Sequence, residues 1–177
     1  MKKISKALGL IIMSALVFCG CVGVPKNSTI NLPELLENID EISLTIYHIP
    51  LILTPFPWTM EMFMDASITD SITIDSDGLK EHMDFLTEIV NRLDGGVLRP
   101  FEGDTRESVV MHYVFKATDD RELLSVTIWG FHRDDDGTVT SVMFVNGNAV
   151  YEDHLLIELV VPFLPEGSYF YNVGKQG

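Results

Sequence analysis

The 177-residue chain is poor in cysteine, and its only two, Cys19 and Cys21, are separated by a single glycine. Two thiols that close in sequence cannot staple distant parts of a domain, so the fold must hold by its core rather than by a disulfide framework. Positive charge is also scarce, with 12 Lys and Arg against 26 Asp and Glu. Nucleic-acid binding depends on cations that neutralise phosphates, and that deficit argues against it. No Gly-x-Ser-x-Gly elbow or phosphate loop is present, and Gly95-Gly96 reads as a helix stop. The five histidines, His48, His82, His112, His132 and His154, have no zinc-site spacing. No metal or cofactor is therefore expected. Residues 42–60 run for nineteen positions without a charge, but Pro50, Pro55 and Pro57 interrupt them. Each proline removes a backbone donor that a spanning helix needs, so the segment predicts a loop.

What is present begins at the N-terminus. Lys2, Lys3 and Lys6 precede the uncharged residues 7–18, the charged-then-apolar order of an export signal. That apolar run is shorter than the roughly 20 residues of a membrane span. Cleavage is the expected outcome. Val17-Phe18-Cys19-Gly20-Cys21 resembles the lipobox of bacterial lipoproteins, in which a small residue precedes the cysteine that is lipidated and then exposed as the new first residue. Gly20 fits the small position before Cys21, whereas cleavage at Cys19 would place bulky Phe18 there. Phe18 itself stands where such motifs more often carry Leu. The resemblance implies a signal at 1–20, lipidation of Cys21, a linker at 21–32 and a single domain at 33–177. It also implies location at the extracytoplasmic face of a membrane, anchored by lipid. Acyl chains at one residue suffice for stable anchoring when there are two or more.

The expected mature chain has 157 residues, enough for one domain with a sizeable core. Losing three lysines leaves nine basic residues against 26 acidic ones, a net charge of −17. Attraction to anionic lipid is then disfavoured, and the tether alone must hold the protein at the bilayer.

Along the domain, residues 42–47 and 68–74 alternate apolar with polar and predict two strands. Leu79, Met83, Leu86, Val90 and Leu93 then form one helical stripe, with Ser76 or Asp77 as cap and Gly95-Gly96 as stop. Three β-rich runs at 108–118, 123–133 and 138–146 are joined by short polar links, and Asn146-Gly147 is a tight-turn signal leading into a strand at 148–151. Residues 154–161 suit a last helix capped by Asp153 or a buried strand. The expected fold class is α+β: an antiparallel meander sheet of about five or six strands with one long and one or two short helices. In this arrangement the order of elements also resembles the small uncharacterised cell-surface lipoproteins of Gram-positive bacteria, grouped as domains of unknown function. That resemblance implies cell-surface location and passes on no catalytic residue. Val22 after Cys21 is compatible with an outer membrane too, so the envelope type stays open.

The apolar segment 49–64 is the one unusual feature. It reads either as a contact surface, with Phe56, Trp58, Met60 and Phe63 as the candidate residues and the methionines as adaptable area, or as a cover over a sheet face. Three functional readings follow. The first is a non-enzymatic binding module, held at the membrane through its lipid, that meets an envelope protein or a small apolar ligand. The second is a small hydrolase or ligand carrier with a pocket lined by His112, Tyr113 and Trp129. The third is a regulatory or inhibitor lipoprotein that presents Asp134, Asp135 and Asp136 to a basic partner.

Overall fold

The computed structural model describes residues 28–30, 32–49, 58–65, 69–98, 109–133, 139–151, 154–166 and 168. In chain order they form β1 (Ser28–Thr29), α1 (Pro33–Glu37), a 3-10 turn (Ile39–Glu41), β2 (Ile42–His48), α2 (Met60–Met64), β3 (Asp70–Ile74), α3 (Ser76–Lys80) and α4 (Met83–Leu93). After these come β4 (Val97–Leu98), β5 (Val109–Ala117), β6 (Glu122–Arg133), β7 (Val139–Val145), β8 (Asn148–Tyr151), α5 (His154–Glu158) and a 3-10 turn (Val161–Phe163). The fold is α+β. Six strands form one sheet in the order β3-β2-β5-β6-β7-β8, antiparallel at every pairing.

Strand alternation sets the core. Leu44 and Ile46 of β2 lie in register with Phe115 and Tyr113 of β5, and these with Leu124 and Val126 of β6. All six are buried on one face, and Met143, Val145 and Val150 continue that layer across β7 and β8. Leu79 of α3, Leu86, Ile89, Val90 and Leu93 of α4, and Leu155, Leu156 and Ile157 of α5 close over it. Tyr113 spans the two layers, donating its hydroxyl to the Leu156 carbonyl at 2.6 Å. The expected Asn-Gly turn joins β7 to β8, with φ of 48° at Asn146 and 79° at Gly147. A two-residue turn that follows the twist of its strands needs positive φ at both positions. Residues 154–158 are helix rather than strand, and Pro162 falls inside the following 3-10 turn.

Two expectations need correction. The stripe that begins at Leu79 is two helices, because the backbone leaves helical geometry at His82, with φ −114° and ψ 22°. The cap is Asp75, whose side chain accepts from the Gly78 N–H at 2.9 Å, and neither Ser76 nor Asp77. The first turn is pressed onto the sheet: a Cβ at Gly78 would lie 2.8 Å from Ile74 Cγ2. Leu79 is buried beside this contact, and His82 at the break packs edge-on against Phe163. The described part of the segment read as a linker carries structure of its own. β1 pairs with β4, Ile30 exchanges backbone bonds with Gly96 and Gly95, and Ile30 and Leu32 are buried. Residues 28–30 and Leu32 are therefore packed into the fold.

Candidate interaction surface

The face of the sheet opposite the helices carries its own apolar group, built by an irregularity in β5. Val109 is in register with Trp129, but the next partnered residue, Met111, faces Ile128, leaving Val110 as one extra residue. A bulge of this kind re-aims a side chain. It puts Val109 on the side of Trp129. Val109, Val114 and Val142 are all buried yet stand outside the main core, and Val142 is also in register with Trp129.

At the end of the sheet where β5 begins, α2 lies against that strand. The Trp58 carbonyl accepts from Val109 N–H at 2.9 Å, and Thr59 caps the helix by accepting from Met62 N–H at 3.2 Å. On its far side, the Thr69 hydroxyl donates to the Phe63 carbonyl. Phe63 is fully buried, again outside the main core, while Met62 and Met64 are 42% and 41% exposed. Trp58 and Met60 are half-buried. Of the sequence candidates, then, Phe63 packs inward, and the flanking methionines take the surface. A five-residue helix shows too little periodicity to tell these apart beforehand. Phe56, Cys21 and the acidic triplet Asp134 to Asp136 lie outside the described residues.

Two ring pairs lie on this same sheet face. Tyr47 stacks on His112 with centroids 5.9 Å apart, and Trp129 packs on Phe144 at 4.3 Å. His112 Nδ1 is 2.9 Å from the Thr127 hydroxyl, its cross-strand partner. Burial pushes the His112 pKa below its ordinary 6.5, against the pull of the Glu122 carboxylate. On the core side of the sheet, His48 ends β2 in register with Asp70 of β3 and Met111 of β5. Its Nδ1 is buried and has no hydrogen-bond partner among the described residues. Burial lowers its pKa as well, with Asp70 opposing.

The pocket expected from His112, Tyr113 and Trp129 is not assembled. Neighbouring strand residues point to opposite faces, so Tyr113 lies in the core while His112 and Trp129 share the other side. His154 and Glu158 form the ordinary one-turn pair, with Arg92 sharing the carboxylate. Among the described residues no group of three or more His, Cys, Asp or Glu side chains is placed to hold a metal, and no helix is long and apolar enough to cross a membrane. No protein-family model, curated protein or solved structure matches the chain.

Proposed function

We propose that the protein is a lipid-anchored, extracytoplasmic and non-enzymatic binding module that meets an envelope protein through α2 and the adjoining ring-bearing face of the sheet. The observation that carries this reading is the division of labour on α2. Phe63 locks the helix down, and Met62 and Met64 stand in solvent on a well-fixed backbone. Methionine is flexible and polarisable, suited to contact surfaces that must adapt to a partner. An apolar side chain held out by a buried neighbour is retained for contact more readily than for folding. The tether rests on the sequence: three lysines, an apolar run, and Gly20 before Cys21.

A photoreactive cross-linker at position 62, introduced into intact cells, is expected to give a discrete heavier adduct. The same cross-linker at Asp120, in the exposed turn between β5 and β6, is expected to give none. Equal yields at the two positions would remove α2 from the reading. For the anchor, a metabolically supplied alkyne fatty acid should label the wild-type chain and leave Cys21→Ser unlabelled and released from the membrane fraction. Labelling of the serine variant would disprove attachment at that residue.

A further inference from the structure

The sulfur atoms of α2 are where this domain meets an oxidant. We propose that Met62 and Met64 form a reversible oxidation site for hydrogen peroxide, and that their conversion to sulfoxides switches off the contact made by α2. The switch rests on the contact role proposed above for that helix; the site itself stands on exposure and sulfur chemistry.

Both cysteines of the chain precede Ser28, so no thiol is present from that residue onward. Thiolates are the sulfurs that oxidants ordinarily attack, and in their absence the thioethers of methionine are the next to react. Six methionines lie in this span: Met60, Met62, Met64, Met83, Met111 and Met143. Met111 and Met143 are fully buried, Met60 and Met83 are half-buried, and only Met62 and Met64 are exposed. An oxidant must reach the sulfur lone pair from solvent, so the two outer methionines of α2 react first. Charge selects the oxidant. A formal net charge of −14 repels anions such as hypochlorite, whereas hydrogen peroxide is neutral and is not held off.

At each sulfur a lone pair attacks one peroxide oxygen as the O–O bond breaks. The sulfur loses two electrons to the peroxide, and the proton of the transferred hydroxyl passes to the departing hydroxide, which leaves as water. A methionine sulfoxide reductase reverses the change at the expense of a dithiol, which becomes a disulfide while the oxygen leaves as water. The helix does not depend on either thioether. It is held by the buried Phe63 ring, by the Thr59 cap, and by the bonds from Val109 to the Trp58 carbonyl and from Thr69 to the Phe63 carbonyl. A sulfoxide gains a strong acceptor that water satisfies at the surface, and an apolar partner that covers it must strip that water away. The backbone of α2 is therefore kept while its contact is lost.

In the test, hydrogen peroxide is added to the purified folded protein, and peptide mass spectrometry follows the gain of one oxygen at each methionine. Sulfoxide is expected to form several-fold faster at positions 62 and 64 than at 111 and 143. Equal rates, or faster oxidation of the buried pair, would overturn the site. The melting temperature should be unchanged when only 62 and 64 are modified; a fall at that stage would mean unfolding and would refute the switch. For the contact, protein bearing a photoreactive group at the exposed Glu61 is oxidised to the same stage, freed of peroxide with catalase and mixed with untreated envelope membranes. The cross-linked adduct should drop several-fold, and should return after treatment with sulfoxide reductase and dithiothreitol. An adduct undiminished by oxidation refutes the switch and leaves the contact reading standing. No adduct even before oxidation refutes the contact reading and the switch with it, while the mass spectra still decide the oxidation site.

Discussion

His48 places an imidazole at the buried end of an inner strand with one ring nitrogen lacking a hydrogen-bond partner among the described residues, and His112 lies one register position away on the other face. Both take up a proton less readily when folded than when unfolded, because burial disfavours the cation. The unfolded chain therefore binds the first protons as pH falls. Stability should be full above about 6.5 and should decline as pH drops below it towards the lowered folded values. Urea titrations at pH 7.5 and 5.5 should show a lower midpoint at the acidic value, and His48→Leu should shrink that difference. An unchanged difference would mean that His48 is not the group responsible. Tyr113 makes a separate contribution, since its hydroxyl is the donor on the buried Leu156 carbonyl. Tyr113→Phe keeps the ring but strands that acceptor, a loss of about 1–3 kcal/mol, measurable as a shift in unfolding midpoint with an unchanged slope.

At the level of elements, α3 is where helix propensity and packing pull in opposite directions. Replacing a glycine inside a helix by alanine ordinarily gains about 1 kcal/mol, but at Gly78 the added methyl group would sit 2.8 Å from Ile74 Cγ2. The steric term should win. Gly78→Ala is expected to lower the melting temperature, and Ile74→Leu in the same chain, which removes the second γ-carbon, to restore part of it. On α2, Phe63→Ala should cost about 3 kcal/mol or more as a buried aromatic is removed, while Met62→Ala should stay within about 0.5 kcal/mol. Hydrogen exchange at the Met62 and Phe63 amides would report whether the helix detaches. The same elements explain what could be read from sequence. The four-strand meander was legible because its strands alternate over seven or more residues in β5, β6 and β7 and end in an Asn-Gly turn whose backbone demands are specific. The break between α3 and α4 was hidden because the apolar spacing from Leu79 to Leu93 continues across it. The β1–β4 ribbon was hidden because two-residue strands have no period. The bulge at Val110 left no trace either, since a Val-Val pair fits a strand in any register. Of the candidate segment, residues 50–57 lie outside the described residues, and the inward and outward sides of α2 depended on tertiary contacts that a five-residue helix does not announce.

For the molecule as a whole, charge imbalance outweighs individual ion pairs. Lys80–Asp40 and Arg121–Glu34 are exposed on both sides, where pairs of this kind contribute little. Self-repulsion in a chain with 12 cations and 26 anions acts everywhere at once. Added salt should accordingly stabilise the protein: the melting temperature is expected to rise between 20 mM and 500 mM sodium chloride, and a fall would show that the ion pairs dominate. Crowding raises a different hazard. Copies at high concentration meet edge to edge often, and a sheet with open borders invites strand-to-strand growth between neighbours. Among the described residues the borders of this sheet are β3 and β8, only five and four residues long, and β3 begins with the exposed carboxylate of Asp70. Short, charged rims of that kind let many copies share a small volume without knitting into a fibril.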